Sequence, residues 1–292
     1  MIVSAILGGI GNQMFQYSAG RALALSRNEP LLVDLSGFDG YGLHQGYELQ
    51  RVFALEVKPA EREQIQDLFG WRSNSLVLKL LKRRGFAKLR GHHLAIEPHF
   101  NYWHDLASLG TPLYMMGYWQ SARYIGSHEA QIRDDFRFRN PLQGRNAELA
   151  SEMESSASVS LHIRRGDYVT HKATTKIMEL CSLDYYREAV RHISSRVHDP
   201  VFFVFSDDME WAKKSLNFHP NFVFVEQNTG LESYRDMQLM SACRNHIIAN
   251  SSFSWWGAWL NPKPDKLVIA PRRWFRNGMN DSDLIPVQWI RL

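Results

Sequence analysis

The second half of the chain alternates between short apolar runs and segments of helical periodicity. Apolar runs fall at 159–163, 201–205, 222–225, 246–249 and 267–270, and helix-like segments at 183–196, 208–216, 232–243 and 252–260. Two parallel strands must be joined by a crossover, and the crossover helix lies on the face of the sheet. Short strands between helices of about ten residues therefore predict a parallel, doubly wound sheet, an α/β fold. On such sheets ligands bind beyond the carboxyl ends of the strands, where loops lead into helix N-termini.

The first half opens in the same way. A strand is expected at 3–7, broken by Gly8, Gly9 and Gly11, and a helix from residue 12 to about 26, where Met14, Phe15, Ser18, Ala22 and Leu25 recur at helical spacing. A second strand at 31–35 completes a βαβ unit. Further on, 61–69 reads as helix, 92–112 as loop, 113–119 as strand and 120–133 as helix. The segment NPLQGR at 140–145 has linker composition. With 292 residues, and roughly 100–200 per domain, two lobes are expected, 1–140 and 141–292.

Charge and cysteine usage narrow the function. The net charge of +4 suits an anionic ligand such as a nucleoside diphosphate and is too small to suggest a nucleic-acid partner. Residues 79–90 (KLLKRRGFAKLR) carry six basic residues and no acid, which fits either a solvated helical face or a patch drawn to anionic lipid. The two cysteines, Cys181 and Cys243, make neither a disulfide framework nor a zinc spacing. No run approaches the roughly 20 apolar residues of a membrane span, and the N-terminus lacks the basic start of a signal peptide. A cytoplasmic protein is expected, with 79–90 as the candidate peripheral contact to the inner membrane face.

Four segments fall where strands should run into helices. Gly8-Gly9-Ile10-Gly11-Asn12-Gln13 forms a glycine turn whose N–H groups can face an anion or a sugar hydroxyl. Met14 stands where a dinucleotide fingerprint needs its third glycine, and the Walker lysine is absent. His162-Ile163-Arg164-Arg165-Gly166-Asp167-Tyr168 puts two arginines beside one acid at a strand end. Arginine forks suit phosphate, and one cation is expected to be spare. In Ser206-Asp207-Asp208, an acid followed three residues on by Glu210 reads as a helix cap. No other carboxylate or histidine cluster supports a metal, so neither a metal nor any other cofactor is expected. Asn250-Ser251-Ser252-Phe253-Ser254 brings hydroxyls and free N–H groups to a helix start, an anion site.

Together, and in this order, these segments resemble the bacterial and animal α-1,2-fucosyltransferase family. The resembling stretches are 8–24, 162–168, 205–211 and 235–260, followed by APRRWF at 270–275; residues 36–110 resemble it least. The resemblance implies a GT-B-like architecture, two Rossmann-like lobes with a cleft between them. It implies GDP-fucose as donor, a galactoside as acceptor, no metal, and inversion to an α-1,2 linkage. Arg164 matches the arginine that grips the β-phosphate, and Asp236 the acid that reads guanine or ribose. Ser251, Ser252 and Ser254 match phosphate-binding serines, and Asn12 and Gln13 the polar residues of the glycine loop. His162, Arg165 and Asn250 join the donor set as members of the same motifs. For the catalytic base, Asp167, His171, His162 and Asp34 all stand as candidates, and the catalytic set is expected to comprise Arg164, Asp167 and His171. Two rival readings are a nucleotide-binding oxidoreductase, from the glycine turn, and a non-catalytic carbohydrate-binding protein, from the nine tryptophans.

Overall fold

In a computed structural model the chain is described at residues 1–40, 42, 44–70, 75–81 and 83–292; the side chains of Ser75, Lys79, Arg84, Ala87, Lys88, Asp167, Thr170, Lys172 and Ala173 fall outside the described set. Two compact units result. Unit 1 comprises Met1–Arg139 and Ser282–Leu284, and unit 2 comprises Asn140–Asp281 and Ile285–Leu292.

Unit 1 is built on β1 (Ile2–Ala5), β2 (Leu31–Asp34), β3 (Lys58–Pro59), β4 (Leu94–Ile96) and β5 (Leu113–Met116), in the order β3-β2-β1-β5-β4 and parallel throughout. β1 is central and buried at every position, as its apolar sequence requires of a strand covered on both faces. Gly8, at φ +84°, turns the chain from β1 toward the helix Ile10–Ser26, a conformation that costs glycine nothing. That helix packs closely on the sheet: a Cβ at Gly20 would lie 3.0 Å from Ser4 and Leu31.

Unit 2 holds β6 (Ala157–Ile163), β7 (Pro200–Ser206), β8 (Phe222–Phe224), β9 (Asn245–Ile247), β10 (Val268–Ala270) and β11 (Ile290–Arg291), in the order β11-β10-β9-β6-β7-β8, again all parallel. β6 and β7 stay in register from Ala157↔Pro200 to Ile163↔Ser206. Val159, Leu161, Ile163, Phe202 and Val204 form the core with Tyr186, Ala189 and Ile193 of the helix Leu183–Ser194. The two serines of β6 are satisfied inside: Ser158 donates to the Met153 carbonyl (2.6 Å), and Ser160 pairs with His246 Nδ1 (2.8 Å).

Several expectations need correction. The segment 92–112, expected as loop, contains β4 and the 3-10 helix His104–Ser108. The helix expected at 120–133 breaks into the 3-10 turns Ala122–Tyr124 and Gly126–His128 and the helix Glu129–Asp135, because Gly126 takes φ +54° inside it. His171, expected in a loop, is indeed non-helical, but as the single residue between the helices Gly166–Thr170 and Lys172–Ile177.

Candidate active site

The site grows from the carboxyl edge of the unit 2 sheet. β6 and β9 are neighbours, with Leu161 opposite Ile247, so the segments beyond Ile163 and Ile247 leave the same edge roughly 4.8 Å apart. Tyr168, in the first of these segments, donates its hydroxyl to the carbonyl of Asn250 in the second (2.8 Å). The Arg164 guanidinium lies 5.7 Å from the centre of the Tyr168 ring. The His162 ring lies 5.8 Å from that of Phe253, in the first turn of the helix Ser252–Leu260. Arg164 and the serine-rich helix start are thereby tied together within unit 2.

The acids that follow β7 hold both arginines. Arg164 Nη1 pairs with Asp207 Oδ2 at 3.0 Å, and Arg165 Nε with Asp208 Oδ2 at 3.1 Å. The expected spare cation is therefore corrected: each arginine has its own carboxylate, supplied by the strand next door. Asp207 also accepts the N–H groups of Arg165 (2.8 Å) and Gly166 (3.0 Å), so it fixes the turn after β6. A Cβ at Gly166 would sit 2.6 Å from Asp207 Oδ2, which is why only glycine fits there. Asp208 is the cap of the helix Met209–Ser215, accepting from Trp211 N–H at 3.2 Å. Arg165 stacks on Trp211 at 4.1 Å and acts as a brace, while Arg164 keeps a quarter of its side chain exposed. A guanidinium has five N–H donors, so the contact with Asp207 orients Arg164 without exhausting it.

The other expected residues divide. Asn250 is fully buried; its amide donates to the carbonyls of Glu179 and Trp274, and its oxygen accepts from Cys181 Sγ. It locks the loop rather than facing a ligand. Ser254 is buried too, its hydroxyl directed at the Ala249 and Ser251 carbonyls. Ser251 is the helix N-cap and makes no side-chain cap bond, and Ser252 is half-buried beside it. His162 is buried, with Nδ1 lacking a partner among the described residues, and burial holds its pKa down to about 4, so it stays neutral. On the helix Tyr234–Ala242, burial pushes Asp236 up to about 7, against the pull of the Asn228 amide at 2.7 Å. Asn228 in turn bonds Asn146. A cavity of about 490 Å³ lined by Val169, Thr175, Lys176 and Arg276 lies in the same unit.

In unit 1, Gln13 is fully buried and joined to Gly8 O (2.8 Å), Gly46 O (2.7 Å) and Glu48 N–H (2.9 Å). It pins a loop, which corrects its expected role at a ligand. Asn12 is half-buried and accepts from Gln120 at 2.7 Å. Asp34 accepts the Tyr114 hydroxyl at 2.6 Å and Ser36 N–H at 2.9 Å and is buried, only 7% exposed, so it ties β2 to its surroundings. His171 is exposed, with Nδ1 at 3.0 Å from Thr174 Oγ1. The Asp167 side chain lies outside the described set. Among the described residues no three His, Cys, Asp or Glu side chains gather as a metal site.

The model of the family described as "Glycosyl transferase family 11" matches residues 82–291. An alpha-1,2-colitosyltransferase of Escherichia coli is 37% identical over 100% of this chain and 99% of its own length. The Escherichia coli O-antigen biosynthesis glycosyltransferase WbnK is 32% identical over 99% of each. Among solved structures, the fucosyltransferase NodZ from Bradyrhizobium aligns at TM-score 0.57 and 14% identity, covering 89% of this chain and 92% of that one. Arabidopsis thaliana FUT1 aligns at 0.51 and 12%, covering 91% and 69%. These likenesses give the fold: two Rossmann-like units of the GT-B kind. The sequence matches go further, and with them the oxidoreductase and carbohydrate-module readings fall away: the chain is a glycosyltransferase and belongs to glycosyl transferase family 11, of the bacterial α-1,2-fucosyltransferase type.

Proposed function

We propose that this enzyme transfers L-fucose from GDP-β-L-fucose to the 2-hydroxyl of a terminal galactose, with inversion at the sugar. One observation carries the reading: Arg164, oriented by Asp207, stands beside Tyr168, which bonds the backbone at the start of the helix Ser252–Leu260. As GDP departs, charge grows on the β-phosphate while the sugar acquires oxocarbenium character. Arg164 and the N–H groups of the helix start answer that charge. Asp236 reads the guanine or ribose, and Ser251 and Ser252 complete the phosphate contacts. Unit 2 is the donor lobe, and unit 1, with its glycine turn and Asn12, serves the acceptor.

The deciding experiment incubates the protein with GDP-fucose and a panel of β-galactosides and reads the linkage of the product by NMR. An α-1,2-fucosylated product supports the reading; no product from any acceptor, with the protein folded and binding GDP, refutes it. A second donor belongs in the assay, because one relative at 37% identity is a colitosyltransferase. Colitose lacks the 3-hydroxyl of fucose. A site that hydrogen-bonds that hydroxyl discriminates by about 10⁴–10⁵, whereas an apolar one does not. Preference for GDP-colitose would reassign the donor.

The enzyme works in the cytoplasm, on the membrane face that presents lipid-linked acceptors. Residues 79–90 touch that membrane: Leu80, Phe86 and Leu89 within the segment, and Leu76 just before it, are exposed by 44%, 37%, 50% and 68%, while Lys82 and the side chains of Lys79, Arg84 and Lys88 lie outside the described residues. Among the described residues no helix is long and apolar enough to cross a bilayer. Flotation with anionic but not neutral vesicles tests the contact.

A further inference from the structure

Of the four candidate bases, Asp34 and His162 are buried, His171 is exposed beside Thr174, and the Asp167 side chain lies outside the described residues; unit 1 holds a further carboxylate suited to such work. Glu97 follows β4 directly, at the carboxyl edge of the sheet, and its N–H continues the ladder to Met116 O at 2.9 Å. Its two oxygens each accept one backbone N–H from the turn after β5: Oε2 from Tyr118 (2.7 Å) and Oε1 from Trp119 (3.0 Å). Among the described residues no arginine or lysine pairs with it. The side chain is half-buried, beside Tyr118, which is 44% exposed.

The turn is shaped around this carboxylate. A Cβ at Gly117 would lie 2.5 Å from Glu97 Cβ and 2.8 Å from Oε2, so a side chain there and the present position of Glu97 are incompatible. Trp119, fully buried, adopts φ +55°, and its indole N–H lacks a partner among the described residues. A bulky residue in that region is strained, and such strain persists where the surroundings over-determine it and tends to mark functional sites. The same turn is fastened to the glycine-turn helix. Gln16 Nε2 donates to Gly117 O (3.1 Å), and Gln120 Nε2 donates to Asn12 Oδ1 (2.7 Å).

Building on the transferase reading, we propose that Glu97 is the catalytic base, with its carboxylate taking the proton from the acceptor hydroxyl. In that step the hydroxyl oxygen bonds to the anomeric carbon, the bond from that carbon to the phosphate oxygen breaks, and its electron pair leaves on GDP. The hydroxyl proton passes to Glu97 and later to water. Amide contacts orient the carboxylate yet leave each oxygen a free lone pair. Burial pushes Glu97 up to about 7, with the two N–H bonds pulling the other way, and a base is most useful with its pKa near the working pH. The titratable groups facing it, Tyr118 and Tyr124, are raised by burial and stay neutral across that range.

The test is the pH dependence of kcat/KM for the wild type, Glu97→Gln and Glu97→Asp, with melting curves for each. The wild type should show an acidic limb with an apparent pKa near 7. Glu97→Gln should lose that limb together with about 10²–10⁴-fold of the rate. Gln turns an NH₂ toward one of the two amides and loosens the turn, so Glu97→Asp is the second variant. It keeps a carboxylate, retracted by one methylene, and should retain the limb at a reduced rate. A wild-type profile without the limb overturns the proposal whatever the variants do. So does a limb that survives in Glu97→Gln, or a Glu97→Gln rate within tenfold of wild type. A lower melting temperature with the limb unchanged would make Glu97 a turn brace only. Product formation by the wild type tests the transferase reading; only the variants and the shape of the profile test Glu97.

Discussion

Replacing Arg164 with alanine separates two roles that one side chain can play. Its bond to Asp207 is an ion pair between groups that are each 25% exposed, worth about 0.2–1 kcal/mol. Its loss strands no charge, because Asp207 still accepts the N–H groups of Arg165 and Gly166 at 2.8 and 3.0 Å. The melting temperature should therefore fall by no more than about 2–4 °C. If Arg164 meets the departing phosphate, the same substitution removes a donor aimed at developing charge, about 2.7–4 kcal/mol of barrier, or 10²–10³-fold in kcat. The assay is GDP release at saturating donor and acceptor, with the melt run in parallel. Arg164→Lys keeps the charge and loses the fork, and should fall between the two. A kcat within tenfold of wild type in Arg164→Ala would refute the assignment, and an unfolded variant would make Arg164 a structural residue.

Two further outcomes follow from buried groups in unit 2. Asn250→Ala removes the donor to the carbonyls of Glu179 and Trp274 in a fully buried position; at about 1–3 kcal/mol per orphaned acceptor it should cost at least about 2 kcal/mol in urea unfolding, and a neutral result would contradict its role as a lock. Asp236 is raised to about 7 from an unfolded value near 3.8, so the stability it contributes is complete below about pH 3.8 and is lost as pH rises to about 7. The stability difference between wild type and Asp236→Asn should therefore shift against the wild type across that window and level off above it. A difference that does not change with pH would show that Asp236 ionises normally in the fold.

Strands were legible where the chain is buried on both faces, since continuous apolar runs such as VFFVF leave no alternative to a central strand. β4 was not legible: Leu94–Ile96 is too short for any periodicity, and two histidines and a glutamate-proline pair flank it. Missing it hid Glu97, whose one local signal is an acid directly after an apolar triplet. The motifs located the carboxyl edge of the unit 2 sheet, but not the division of labour along it. Which of two adjacent arginines is a brace depends on the register of β6 against β7, which sets Asp208 and Trp211 beside Arg165. Likewise a run of polar residues does not say which hydroxyl or amide turns inward, and Gln13, Asn250 and Ser254 all do.

Residues 282–284 belong to unit 1 although the chain on either side of them belongs to unit 2. Asp283 in that short excursion accepts from Arg123 (3.0 Å) and from the Tyr102 backbone (3.1 Å). A fragment ending at residue 139 would thus be an incomplete first half, missing a carboxylate that arrives only after the Asn140–Asp281 stretch of unit 2. Its maturation during synthesis waits until Ser282–Leu284 have been made, after the long Asn140–Asp281 stretch of unit 2, and expressing the halves separately calls for grafting that tripeptide back.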